Sequence, residues 1–306
     1  MIRAINLTKR FGDNLAVDAL NLEAHDGEVL GMLGPNGAGK TTTIRMLSCL
    51  IAPTSGEAWV AGKKVGEQND AIRAEIGILT EAPGLYDKLS AYRNLDFFAK
   101  MYGVPAGERA KRIEKYLSVL GLWERRKEAV GTFSKGMRQK MAIARTLLHE
   151  PRVLFLDEPT SGLDPESAKT VRDFVEELRG QGRTVLLCTH NLEEADRLCD
   201  RIAIFRRSLI DIGTVEDLRG KLFGHQTVIR LRQQLPGVAD MVRNLPLVKS
   251  VTVEGDTVTV DVTRSSEANP AIVRAIVEGG GEVLFVEEKR HSLENVYLSL
   301  VGGSAQ

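Results

Sequence analysis

The sequence predicts an α/β protein: a mostly parallel sheet covered by helices, followed by a smaller α+β unit. Three observations carry this. The apolar run EVLGML at 28–33 leads straight into the glycine-rich GPNGAGKTT at 34–42, which opens a helix. Apolar runs at 153–156 and 184–188 flank a helical stretch from Pro165 to Arg179 and restore the strand–helix alternation of a buried parallel sheet. After about Gly220 the pattern changes to strand, helix, strand, strand, helix, strand.

A chain of 306 residues is long enough for about two domains. We place them at 1–219 and 220–306. Lys plus Arg and Asp plus Glu each number 41, so the zero net charge gives no sign of a nucleic-acid partner, and none is expected. Cys49, Cys188 and Cys199 are odd in number and form no CxxC pair, which argues for a reducing compartment and against a disulfide or zinc framework. Arg3, Asn6, Lys9 and Arg10 interrupt the apolar content of the first residues, so no signal-peptide core is expected. No apolar run approaches the roughly 18–20 residues that span a bilayer. A soluble chain is expected, with any membrane role arising through a partner.

In chain order, residues 2–7, 17–24 and 28–33 read as strands, the first two forming an N-terminal antiparallel β subdomain, and Thr41–Leu50 reads as a helix. Short strands follow at Glu57–Ala61 and Ile76–Leu79. From Ser90, an N-cap, to Leu148 the apolar spacing is helical, through Leu95, Phe98 and Tyr102, then Ile113, Leu117 and Leu120, with Gly121 as a stop. This is a helical insertion, about 84–150. The tail predicts strands 226–231, 248–253, 257–262 and 282–287 with helices 237–245 and 269–278, a split-βαβ, ferredoxin-like order. Helix Ser292–Leu300 closes the chain.

GPNGAGKTT satisfies GxxxxGK[ST] through Gly34, Gly39, Lys40 and Thr41, with Pro35, Asn36, Gly37, Ala38 and Thr42 completing the loop. Glycines let backbone N–H groups close on phosphates, Lys40 reaches the β and γ groups, and the Thr41 hydroxyl can ligate magnesium. PRVLFLDEPTSGLDP at 151–165 delivers Asp157 and Glu158 at a strand end, where ligands sit in open α/β sheets. Asp157 suits magnesium, and Glu158 is placed to polarise an attacking water as general base. VLLCTH at 184–190 brings His190 to a third strand end, where it can face the γ-phosphate. A second anion site is written at 132–145, TFSKGMRQKMAIAR: Ser134, Lys135 and Gly136 lead into a helix with Met137, Met141, Ala144 and Leu148 on one face. Its start offers spare N–H groups and a positive dipole end.

In order, FSKGM, VLFLDEP, SGLD and TH, with GPNGAGKTT and ILTE before them, resemble the ATP-binding cassette (ABC) ATPases over roughly residues 1–215. The resemblance implies a P-loop NTPase core that binds and hydrolyses ATP with Mg2+, with Phe11 at the adenine-stacking position. It implies a second ATPase subunit facing the first head to tail, a homodimer being the simplest pair. Ser134 and Gly136 would then bind the γ-phosphate held by the partner, with Asp164 passing between the two sites. It further implies a multi-helix membrane permease and a cytoplasmic position, peripheral on the inner face of the membrane. SKGM with glutamate at position 81 is similar to the ATPases of exporters. The alternatives are a soluble cassette ATPase acting on ribosomes or DNA, or an unrelated P-loop kinase. A single P-loop and the lack of sustained heptads set this sequence apart from the former.

Two departures from the family pattern matter. FSKGM replaces the usual LSGGQ, and Glu81 stands where the family carries a magnesium-reading glutamine. A carboxylate about 5 Å from a phosphate charge is repelled by roughly 3 kcal/mol at an effective dielectric of about 20. Either Glu81 ligates magnesium, a hard cation suited to carboxylate oxygens, or it stays outside the site until closure. Glu81→Gln is expected to leave ATP hydrolysis largely intact in a phosphate-release assay; total loss of turnover would mean the carboxylate is required. Residues 84–102, with Leu85, Tyr86, Leu95, Phe97, Phe98 and Met101, form either a groove for a permease helix or the core of the insertion, and Leu85, Tyr86 and Asp87 are expected to be the more exposed. The tail is read as a dimer-supporting or regulatory module, or as a stabilising addition with no ligand.

Overall fold

The computed structural model describes residues 1–80, 84–289 and 292–302. The chain divides into two compact units, Met1–Thr214 and Val215–Gln306.

In the first unit, β1 (Ile2–Phe11) and β2 (Asn14–Ala24) form a hairpin turning at Gly12, whose φ of 56° lies in the left-handed region that glycine tolerates. β3 (Val29–Leu33) runs into the glycine loop and α1 (Lys40–Leu47). The helix ends earlier than its apolar pattern predicts, because Ser48 caps it and Cys49 turns to φ 59°. β4 (Ser55–Val60), β5 (Lys63–Lys64), α2 (Asn69–Glu75) and β6 (Ile76–Leu79) follow. The expected helical insertion contains α3 (Ala91–Met101), α4 (Ala106–Val119) and α5 (Lys135–Leu147). Ser90 caps α3 by accepting from Arg93 N at 3.3 Å. Gly121, at φ 69°, follows the end of α4 as expected. Then come β7 (Val153–Asp157), α6 (Pro165–Gly180), β8 (Thr184–Thr189), α7 (Leu192–Leu198), β9 (Arg201–Arg206) and β10 (Ser208–Gly213).

These strands make two sheets. The antiparallel one has the order β2-β1-β4-β5, and the six-stranded one β10-β9-β3-β8-β7-β6. In the larger sheet β9, β3, β8, β7 and β6 are parallel, while β10 pairs antiparallel at the edge. Every residue of β3, β7 and β8 is buried, which is why they read as unbroken apolar runs. Their side chains still alternate. Leu154, Leu156, Val185 and Leu187 face a core shared with α3 to α6, whereas Val153, Phe155, Leu186 and Cys188 face a core shared with β1, β2 and α1. Each such fully buried Leu or Phe contributes about 1.5–3 kcal/mol, so the central strands are clamped from both sides and their C-terminal ends are held rigidly.

The second unit contains α8 (Val215–Phe223), β11 (His225–Leu231), α9 (Val238–Arg243), β12 (Val248–Glu254), β13 (Thr257–Val262), α10 (Ser265–Glu278), β14 (Val283–Glu288) and α11 (Leu293–Gly302). Its sheet order is β12-β13-β11-β14, with every neighbouring pair antiparallel. That is the order a split-βαβ fold requires. Ile229, Leu231, Val258, Val260, Ile272 and Ile276 form its core. α10 begins ahead of the expected 269, so that Pro270 lies inside it. Two side-chain bonds tie its first turns to the sheet: Ser265 Oγ donates to Glu288 Oε1 at 2.8 Å, and Thr227 Oγ1 donates to Asn269 Oδ1 at 2.7 Å. No helix among the described residues is long and apolar enough to cross a membrane.

Candidate functional site

The loop between β3 and α1 is built from close approaches that only glycine permits. A Cβ on Gly34 would stand 2.1 Å from Phe205 O, and one on Gly39 would stand 2.4 Å from Ala16 O. Gly39 also has φ 101°. The loop is therefore pressed against β2 on one side and β9 on the other, and Ala38 O accepts from Arg207 N at 2.7 Å. Pro35, Asn36, Gly37, Ala38, Gly39, Lys40, Thr41 and Thr42 all line a cleft of about 490 Å³, together with Phe11, Asp157, Glu158 and His190. Gly34 contributes its carbonyl from behind: Lys40 Nζ donates to Gly34 O at 2.5 Å and to Pro35 O at 3.2 Å. Lys40 is 6% exposed, and its ammonium lies 3.8 Å from Glu158 Oε1.

The strand-end carboxylates face the same cleft. Thr41 Oγ1 donates to Asp157 Oδ2 at 2.7 Å, which places two hard oxygen donors side by side at the start of α1. This pair fits a magnesium ion by its chemistry. Glu158, just past β7, is turned to φ 50°, a left-handed conformation that costs a non-glycine residue roughly 1–3 kcal/mol. Its N–H donates to Cys188 O at 2.9 Å, anchoring the turn to β8. The strained turn aims the Glu158 carboxylate across the cleft, and His190 Nδ1 lies 2.8 Å from its Oε1. Phe11 stands at the cleft, 49% exposed, with Lys9 Nζ 5.0 Å from its ring centroid.

Ser134, Gly136 and Asp164 form a second group that does not line this cleft. Ser134 is the N-cap of α5, its Oγ accepting from Met137 N at 3.2 Å. Asp164 is the N-cap of α6, its Oδ1 accepting from Ser167 N at 2.9 Å, and the Ser167 donors hold this carboxyl below the usual carboxylate range. The two helix starts are packed together: a Cβ on Gly136 would lie 2.3 Å from Ser167 Oγ and 3.3 Å from Asp164 Oδ2. Lys135 places its ammonium over Gly162, 2.1 Å from where a Cβ would stand. Glu81 lies outside the described residues.

Several cleft residues have no signal in the sequence pattern. Asn14 lines it from the start of β2 and Arg207 from the β9–β10 turn, which is tied to the glycine loop by the Arg207 N–H to Ala38 O bond. Glu194, which does not line the cleft, is a further residue outside the predicted set. It is 2% exposed, accepts from Thr160 Oγ1 and Thr189 Oγ1, both at 2.8 Å, and burial pushes its carboxyl up. A glutamate four residues after a strand-end histidine, at the start of a helix, was the available clue. In the insertion, Tyr86, Phe97 and Met101 are exposed and Leu95 is buried; Leu85, expected at the surface, packs partly against the core. A larger depression of about 920 Å³ is bounded by His25, Glu176, Arg179 and Arg201 and holds none of the predicted site residues. Its arginines are paired, Arg179 with Asp200 and Arg201 with Glu28, so we assign the chemistry to the smaller cleft.

Two family models match the chain: "ABC transporter" over residues 17–161, and "ATP-binding protein DrrA1-3-like, C-terminal domain" over 213–301. The linearmycin resistance ATP-binding protein LnrL of Bacillus subtilis (strain 168) is 36% identical over 308 residues, covering 99% of this chain and 98% of that protein. The daunorubicin resistance ATP-binding protein DrrA3 of Streptomyces coeruleorubidus is 40% identical over 299 residues, covering 96% of this chain and 93% of that protein. Among solved structures, a dimeric ATP-binding cassette in a post-hydrolysis state with ADP and Pi superposes with a TM-score of 0.64 at 26% identity, over 70% of this chain and 98% of that one. The glycine loop, the strand-end carboxylates and near full-length kinship lead to one conclusion: this chain belongs to the ATP-binding proteins of ABC transporters and is an ATP-binding, ATP-hydrolysing subunit.

Proposed function

We propose that two copies of this chain close head to tail over ATP and so drive export through a separate multi-helix permease, which holds them at the inner face of the membrane. The observation that carries this reading is the split site. The phosphate loop, Asp157, Glu158 and His190 share one cleft, while Ser134, Gly136 and Asp164 sit together off it. A second chain would bring the latter group to the γ-phosphate. The names of LnrL and DrrA3, both resistance ATP-binding proteins, support export. Tyr86, Phe97 and Met101, exposed beside one another on the insertion, are the surface offered to the permease.

Each residue then has a task. Backbone N–H groups of residues 37–42 hold the phosphates, and Lys40 exchanges its carbonyl partners for the β- and γ-phosphate oxygens. Thr41 and Asp157, with Glu81 as a further proposed ligand, would hold magnesium, which neutralises charge on the transferred phosphoryl group. Glu158 takes the proton of the attacking water, and His190 holds the Glu158 carboxylate and the γ-phosphate in register. Phe11 stacks on the adenine. A helix start contributes only about 0.3–2 kcal/mol, so charge-assisted bonds from Ser134 and the backbone of Gly136 must supply most of the preference for the closed pair. The C-terminal unit is proposed to support or regulate that pair.

Mixing two disabled chains tests the arrangement. Lys40→Met and Ser134→Arg are each expected to be inactive alone. An equimolar mixture should regain roughly a quarter of wild-type hydrolysis, because about half the pairs are mixed and each of those has one intact composite site. No recovery, in mixtures confirmed to exchange subunits, would sink the two-copy scheme. Co-purification of a multi-helix membrane protein with the tagged chain tests the transport role.

A further inference from the structure

We propose that Glu194 is a positioning residue that ties the turn carrying His190 to the loop running from Glu158 to Asp164. The inference rests on the catalytic reading of Glu158 and His190 given above. Glu194 sits in the first turn of α7 with 2% exposure, so its charge has little water to solvate it. Two hydroxyls do so instead, one from each loop: Thr189 Oγ1 on Oε2 and Thr160 Oγ1 on Oε1.

The direction of these bonds is fixed by chemistry. Asn191 N–H, which can only donate, donates to Thr189 Oγ1 at 3.0 Å. Thr189 therefore sends its own proton to the Glu194 carboxylate, an obligate acceptor when ionised. His190 lies between the two residues held in this chain, Thr189 and Asn191. Asn191 is pinned again, because its Oδ1 accepts from Glu194 N at 3.2 Å. On the other side, Thr160 is two residues past Glu158, and the intervening Pro159 O accepts from Gln139 Nε2 at 2.9 Å. One carboxylate thus sets the spacing between the Glu158 loop and the His190 turn, across which Glu158 and His190 make their 2.8 Å contact. Through Thr160 it also reaches the loop ending at Asp164.

Glutamine at 194 keeps the shape and weakens the link. Its amide has one oxygen, so it can accept from one hydroxyl, while its NH2 turns a donor toward the other. Turned one way it leaves Thr189, already accepting from Asn191, with a proton and no acceptor; turned the other way it makes Thr160 reverse from donor to acceptor, and in both cases charge-assisted bonds give way to weaker neutral ones. Misplacement of a catalytic pair by about 1 Å can cost about a hundredfold in rate, whereas the nucleotide-binding loop does not touch Glu194. In steady-state ATP hydrolysis, Glu194→Gln is expected to lower kcat by about tenfold or more with KM for ATP within about twofold of wild type. Thr160→Val should do the same to a smaller extent, and the double variant should be no slower than the slower single one, because both remove the same link. The proposal is overturned if kcat stays within about twofold in either variant, if KM rises in step with the loss, or if the two effects multiply. Should Glu194→Gln fail to fold, Thr160→Val decides by the same kcat–KM split. Glu158→Gln, run alongside, separates the two layers: an inactive wild type or a fully active Glu158→Gln refutes the catalytic reading itself, whatever position 194 does.

Discussion

Glu158→Gln is expected to abolish steady-state ATP hydrolysis while leaving ATP bound, so that the variant accumulates as an ATP-locked dimer. Loss of a positioned general base costs about a hundred- to ten-thousand-fold in rate. The cleft otherwise survives: glutamine is isosteric, keeps an oxygen toward His190, and leaves Lys40 bonded to Gly34 O and Pro35 O. Its effect on affinity has a definite sign. Removing the carboxylate near Lys40 takes one negative charge away from the position of the γ-phosphate, so binding should be equal or tighter. With cleavage blocked, the bonds from Ser134 and Gly136 of the facing chain persist. Light scattering at saturating ATP should report twice the monomer mass for the variant, and a stably monomeric variant would count decisively against the sandwich.

Gly39→Ala should remove nucleotide binding at its source. Position 39 is left-handed at φ 101°, where a side chain costs roughly 1–3 kcal/mol, and the new methyl would lie 2.4 Å from Ala16 O and 3.2 Å from both Val17 Cγ2 and Phe205 Cε1. The carbonyl belongs to β2 and cannot swing aside as a side chain would, so the loop must lift from the hairpin. ATP affinity should fall by about tenfold to a hundredfold, and the melting temperature by about 2–10 °C. Gly37→Ala isolates the clash from the strain, because Gly37 has φ 79° but nothing within 4 Å of its Cβ position. Its effect should be clearly smaller in a titration with a fluorescent ATP analogue. Equal effects for the two variants would mean that the loop does not rest on β2 in solution.

Most of the chemistry is legible before folding because it is local. A glycine loop needs its residues contiguous, and a strand end needs only an apolar run followed by carboxylates, so Lys40, Thr41, Asp157, Glu158 and His190 are found by spacing alone. They meet in the cleft because parallel strands β3, β7 and β8 end on the same side of one sheet. Less of the scaffold could be read. α7, β9 and β10 are short and were absent from the pattern, as was α2, whose side chains include only one buried apolar residue, Ile72. Leu85 misleads for a related reason: its neighbours Tyr86 and Asp87 are exposed, but the turn it occupies points it at the core.

The sequence by itself determined which residues are the candidates for holding a triphosphate and activating water, and that a split-βαβ unit follows, since these depend on spacing and on periods of two and 3.6 residues. Only the tertiary structure decided the rest. It placed Gly34 and Gly39 against backbone carbonyls, put Ser134 and Gly136 with Asp164 rather than in the cleft, and brought Glu194 between two threonines 29 residues apart in the chain. Contacts of that kind join segments whose proximity no local pattern encodes, because they arise when separate strands and helices are packed on a common core.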